Sequence, residues 1–125
     1  MFNASPTTEV SGLFENSRPL DLICMGRVAV DLYAEQVYSS LEDAQSFRKY
    51  LGGCAGNTAI GTARLGLKSA MFSCVGTDDM GVYLRKTLEN EGVDTSLLRN
   101  TPEHLTALVL LGVSPPDRFP LIFYR

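Results

Sequence analysis

The sequence predicts an α/β fold, a parallel sheet with helices packed on it and a small antiparallel flap beside it. Three stretches carry that prediction. Residues 51–81 run through a glycine turn, a small-residue helix, a strand and a second glycine-acidic turn. Residues 68–75 are largely apolar on both alternating faces, as an interior parallel strand requires. Residues 106–125 hold two apolar runs around Ser114-Pro115-Pro116-Asp117, which reads as a hairpin. Strand and helix alternate along one unit without internal repeats or low-complexity tracts.

A chain of 125 residues with 45% hydrophobic content is one domain's worth and can bury a core. The net charge is −3 and no long basic run occurs, so the electrostatic footprint of a nucleic-acid binder is missing. The longest uncharged apolar stretch, residues 105–116, is too short for a membrane-spanning helix, and the N-terminus lacks the basic and apolar regions of a secretory signal. The expected partner is therefore neither nucleic acid nor membrane. Cys24, Cys54 and Cys74 are an odd set without C-x-x-C spacing, which argues against a disulfide framework and a zinc site and fits a reducing, cytoplasmic compartment. Cys24 and Cys74 read as small core residues. Cys54, inside the glycine loop, is the thiol worth testing.

In chain order, residues 1–19 read as a loose, flexible leader. Residues 20–25 form an apolar run ended by Gly26, consistent with a first, central strand. Asp31 then follows Gly26-Arg27-Val28-Ala29-Val30 as a lone carboxylate, able to hold two neighbouring hydroxyls of a polyol or simply to cap a turn. Residues 32–38 can be a strand, 39–44 a turn or short helical piece, and 47–51 a half-exposed strand. Gly52, Gly53 and Gly56 allow positive φ and let another molecule approach the main chain. Asn57 suits a helix N-cap, Ala59, Ile60, Ala63 and Arg64 fall at helical spacing, and Gly66 stops the helix at C′. Free amides at such a helix start grip oxygen-rich ligands. The glycines do not make a dinucleotide fingerprint, and Thr62-Ala63 stands where a P-loop needs Lys-Ser/Thr.

Beyond the strand at 68–75, Thr77-Asp78-Asp79 opens a second helix that buries Gly81, Leu84 and Leu88, turns Arg85, Lys86, Glu89 and Asn90 outward and stops at Gly92. Asp78 and Asp79 complement the helix dipole, which explains them better than a metal does. Residues 92–98 read as a further strand, and His104 as an exposed loop residue.

Gly52-Gly53-x-x-Gly56-Asn57-x-Ala59, then Gly66, then Gly76-x-Asp78-x-x-Gly81, resembles the first signature of the ribokinase-like (PfkB) carbohydrate kinases. The resemblance spans residues 20–125 and the N-terminal part of the family pattern. It implies a Rossmann-like sheet with lid strands near 32–51 and 105–125. It also implies an ATP-dependent carbohydrate kinase, using Mg²⁺, that transfers the γ-phosphoryl group to a sugar hydroxyl. Gly26 and Asp31 match the family's first glycine and sugar-holding acid, and Asp31, Gly52, Gly53 and Asn57 are implied to bind the sugar.

The segment 114–125 and the glycine loop most resemble the members acting on sugar acids. That assigns Arg125 to the substrate carboxylate and Tyr124 to a hydrogen bond, against the alternative of solvated flap charges. The family's second signature, D-x-x-G-A-G-D, supplies the amides that stabilise the transferring group and the Asp that takes the hydroxyl proton. No such segment is found, so catalytic residues are expected C-terminal to Arg125, and the chain alone is expected to be inactive, with no ATP or Mg²⁺ bound. The resemblance also implies a homodimer through the β lid. Kinases of 2-keto-3-deoxygluconate, fructose, ribose or nucleosides stay open as alternatives, as does a non-enzymatic Rossmann-like binding module.

Overall fold

The computed structural model describes residues 17–125, so most of the expected leader lies outside the described residues. Nine elements follow in order: β1 (Leu22–Met25), β2 (Ala29–Ala34), β3 (Phe47–Gly52), α1 (Cys54–Arg64), β4 (Ser69–Gly76), α2 (Asp79–Asn90), β5 (Leu98–Thr101), β6 (Leu108–Leu111) and β7 (Leu121–Tyr124). They form two sheets. A three-stranded sheet has the order β1-β4-β5, with both pairs parallel. A four-stranded lid sheet has the order β3-β2-β6-β7, in which β2/β3 and β6/β7 are antiparallel. The β2/β6 pair that joins the two hairpins is parallel, so the lid is a mixed sheet.

Several boundaries differ from the sequence reading. β4 is the central strand of its sheet, as expected of an interior strand over 68–75, while among the described residues β1 stands at an edge, not at the centre expected for residues 20–25. The strand expected over 92–98 begins only at Leu98, because Asp94 makes a single bridge to Ala70 and Thr95 to Leu97 turn before pairing resumes. β4 is apolar on both faces, yet among the described residues only the Met71 and Val75 face is packed along its length. Met71 and Val75 are buried, whereas Phe72 and Cys74 are exposed along with Ile23 and Met25 of β1. Cys74 is therefore not a core residue; Cys24 is.

The covered face carries the core. Val30, Ala59, Met71, Leu84 and Leu88 are all fully excluded from solvent, and they join β2, α1, β4 and α2 in one cluster. A buried leucine of this kind contributes about 2–3 kcal/mol through apolar burial. α1 approaches the sheet through Gly56 and Ala59, as its small residues foretold. It ends at Leu65 with Gly66 at φ 92°, the left-handed stop expected at C′. Arg64 at the end of α1 makes two hydrogen bonds to the Glu91 carboxylate, at 2.7 and 2.6 Å, tying the two helix ends together. In the turn between β2 and β3, the Gln36 side chain accepts from the Gln45 and Ser46 amides and donates to Ser46 Oγ.

The Gly76-x-Asp78-x-x-Gly81 motif is a packing knot. Asp78 caps α2, its Oδ1 accepting from the amides of Met80 (2.9 Å) and Gly81 (3.1 Å). Its Oδ2 accepts from the Thr106 amide at 2.7 Å, and Thr106 Oγ1 in turn accepts from the Gly76 amide at 3.0 Å. A Cβ on Gly76 would overlap the Asp78 carboxylate, and one on Gly81 would overlap the Gly76 carbonyl, so both glycines are steric necessities. Burial opposes ionisation of Asp78, but the hydrogen bonds from Thr106, Gly81 and Met80 outweigh it and hold the carboxyl below its ordinary range.

Asp78→Ala should therefore lower stability by roughly 1–2 kcal/mol in urea denaturation at neutral pH. Since the native carboxyl is depressed, its contribution is complete above the unfolded-chain value and is lost as the pH falls through the native one. Wild type and variant should converge in strong acid. A gap that stays constant from neutral to strongly acidic pH would contradict the capping account.

Candidate functional site

Asp31 lies within β2 rather than in a loop after a strand, because pairing with β3 begins already at Ala29. Its Cα partners are Tyr50 on β3 and Val109 on β6, and Val109 is in turn opposite Phe123 on β7. Paired residues share a face, so Tyr50, Asp31, Val109 and Phe123 make one row across the lid. The next row, Leu51, Val30, Leu108 and Tyr124, belongs to the other face, where Val30 enters the core. Tyr124 thus stands on the opposite face from Asp31 and is 56% exposed. Phe123 is the flap aromatic on the Asp31 side.

The glycine loop meets this row from below. A Cβ on Gly52 would fall 2.1 Å from the Asp31 carboxyl carbon, so the carboxylate lies directly on the Gly52 main chain. Gly53 has φ 93°, and a Cβ there would lie 2.4 Å from the Arg27 carbonyl oxygen. Both the conformation and the contact demand glycine. At Gly56 the neighbours are Val28 and Leu51. The approach that the glycines permit is therefore made first by the protein's own segment between β1 and β2.

Gly53, not Asn57, is the N-cap of α1, and no side chain caps the helix. Asn57 is the fourth helical residue, its amide already bonded to the Gly53 carbonyl at 3.0 Å. Its side chain is exposed on the first turn. The helix starts earlier than predicted because Cys54, Ala55 and Gly56 follow directly from the turn that Gly53 makes at φ 93°, with no polar residue needed to begin it. Their three amides have no intrahelical acceptor, and no acidic residue occupies the first turn. The N-terminus therefore keeps its partial positive charge.

A cleft opens at that end of α1, lined by Met25, Gly26, Arg27, Cys54 and Ala55 together with Arg125 from the end of the flap. The Arg27 and Arg125 guanidiniums both lie against the Phe123 ring, 5.2 and 5.3 Å from its centre. Burial pushes the Asp31 carboxyl up, and the positive charge of Arg27 partly offsets that. The cleft thus gathers two cations and a helix N-terminus, and the half-buried Asp31 carboxylate stands outside its lining, on the lid face that also carries Phe123. That set can accept hydrogen bonds from hydroxyls at one end and bind an anionic group at the other.

Of the residues selected from sequence, Asp31, Gly52, Gly53 and Arg125 are brought to one region, Asn57 to its border, and Tyr124 to the far face. Arg27 and Phe123 were missed. The signal for Arg27 was its place beside Gly26 in the turn before Asp31. For Phe123 it was strand alternation, which puts 123 and 125 on one side and 124 on the other. A second cleft, lined by Tyr33, Glu35, Arg48 and Tyr50, lies further out on the lid. Among the described residues no group of three His, Cys, Asp or Glu side chains could hold a metal ion, and no helix is long and apolar enough to cross a membrane.

Residues 20–125 match the pattern of the pfkB family carbohydrate kinases. The 5-dehydro-2-deoxygluconokinase of Geobacillus kaustophilus is 35% identical over 113 residues, covering 90% of this chain and 34% of the relative. Among solved structures, a PfkB protein from Polaromonas sp. JS666 superposes with TM-score 0.79 at 37% identity, covering 85% of this chain and 35% of that one. An uncharacterized sugar kinase from Pyrococcus horikoshii, solved in complex with ATP, gives TM-score 0.77 at 31% identity, covering 82% of this chain and 33% of that one. The chain spans about a third of the length of the relatives it matches.

Gly53→Ala should cost on the order of 2 kcal/mol or more, from the left-handed φ and the Arg27 carbonyl together. Gly66→Ala, at φ 92° with nothing within 4 Å of a new Cβ, should cost only the conformational part. Denaturation midpoints of the two variants compare these directly; equal losses would remove the close-approach argument.

Proposed function

Because the chain belongs to the pfkB family of carbohydrate kinases, we propose that it forms the sugar-holding part of an ATP-dependent kinase acting on a sugar acid. The substrate in this reading is 5-dehydro-2-deoxygluconate, an intermediate of inositol breakdown. The observation that carries it is the Asp31 carboxylate seated on Gly52, in a lid row that runs through Val109 to Phe123, on whose ring cationic Arg125 lies. Asp31 accepts hydrogen bonds from adjacent sugar hydroxyls, the Gly52-Gly53 main chain sets its height, and Asn57 lies within reach of the same end of the substrate. Arg125 pairs with the carboxylate, a role that a neutral sugar would not require. The flap segment that ends in Arg125 supports this choice, as does the named activity of the Geobacillus kaustophilus relative.

ATP with Mg²⁺ supplies the transferred phosphoryl group in this family reading. No residue of the described chain is assigned to them in this reading. The glycine loop lacks a phosphate-reaching lysine, and no cluster of three potential metal ligands is present among the described residues. No step of the transfer is therefore assigned to residues 17–125. The proposal includes a dimer formed through the lid, whose outer cleft exposes Tyr33 and Tyr50 in edge-to-face contact with ring centres 5.2 Å apart. A cytoplasmic location is part of the same reading and agrees with three free thiols.

Asp31→Asn tests the proposal with two readouts of opposite sign. A raised carboxyl pKa contributes stability that is complete in acid and lost as the pH rises through the native value, so the ionised group is a burden at neutral pH. The isosteric amide should therefore raise the denaturation midpoint at pH 7. It should also weaken calorimetric binding of sugars, acid and neutral alike, by about tenfold or more, since hydrogen bonds to a charged acceptor are lost. Unchanged sugar affinity in a folded variant would overturn the assignment of Asp31.

A further inference from the structure

We propose that Arg27 is a second reader of the substrate's carboxylate and that Phe123 is the positioning residue that sets it beside Arg125. This inference rests on the sugar-acid reading and deepens it. Arg27 is exposed and lines the same cleft as Arg125, although the two stand nearly a hundred positions apart in sequence. What brings them together is the Phe123 ring, with guanidinium carbons 5.2 and 5.3 Å from its centre. Two like charges do not gather on one ring without a reason. Stacking on an exposed ring is only weakly favourable for each, and their mutual repulsion works against it.

An anion bridging the pair removes that repulsion and uses the planar donor fork of each guanidinium. The site is also asymmetric in the required sense. Burial pushes the Asp31 carboxyl up and the positive charge of Arg27 partly offsets that, so Arg27 is the cation coupled to the acid and Arg125 the one carried by the flap. The two roles are separable because Gly53 packs against the main-chain carbonyl of Arg27, leaving its side chain free to be changed.

The test is calorimetric titration of wild type, Arg27→Gln, Phe123→Leu and the double variant with 5-dehydro-2-deoxygluconate and with its uncharged amide. Arg27→Gln should weaken the acid by about tenfold or more while changing the amide by less than about twofold. Phe123→Leu, which keeps an apolar side chain but removes the ring, should narrow the acid-over-amide preference by about threefold. The double variant should lose less than the sum of the two losses, because ring and cation act together. A purely structural role for Phe123 would weaken both ligands equally. Equal losses for acid and amide in Arg27→Gln, or none, overturn the inference. If wild type binds acid and amide equally, the two-cation reading falls while the sugar site stands; if it binds neither, both fall.

Discussion

The contact between Gly53 and the Arg27 carbonyl is the constraint on which the rest of the molecule depends. It lets the glycine loop lie against the turn between β1 and β2, so the lid sheet and the α/β core are locked at one corner. From that corner β2 runs outward with Asp31 over Gly52, and α1 runs back along the sheet with its first three amides turned to the opening. A side chain at 53 would separate the two sheets and move the carboxylate off its seat. The glycines allow the protein's own backbone to set the acid and the helix end side by side.

The second corner is fastened by different chemistry. Asp78 spends both oxygens on three amides from α2 and the segment before β6, and Gly76 and Gly81 give it room. β6 leaves that knot and pairs with β2 on the lid, so the register that puts Val109 beside Asp31 and Phe123 beside Val109 is anchored there. Thus one glycine-acid motif builds the site and the other holds the flap that faces it. Their spacing in sequence reflects two corners of one frame.

Much of this was legible in the sequence. Gly66 and Gly92 mark their helix stops correctly, and Asp78 its cap, because these are local matters of left-handed backbone and free amides. Local reasoning also misled. Asn57 has the chemistry of a cap, but the helix begins four residues after position 50 because Gly53 already provides the turn. Cys74 alternates as a core residue should, yet nothing among the described residues covers its face of β4, and alternation cannot report what lies opposite. Tyr124 has a hydroxyl and a place beside Arg125, but neighbours in a strand point apart. Arg27 shows the converse. Its partner Phe123 is distant in sequence and close only through the β2-β6-β7 register.

The central claim is that one opening, at the start of α1, holds the sugar. Backbone chemical-shift mapping of the chain titrated with 5-dehydro-2-deoxygluconate tests it most directly. The account predicts saturable shifts concentrated at Gly26, Arg27, Asp31, Gly52 to Cys54 and Arg125. Shifts confined to the outer lid cleft at Tyr33, Arg48 and Tyr50, with the α1 start unmoved, would contradict it.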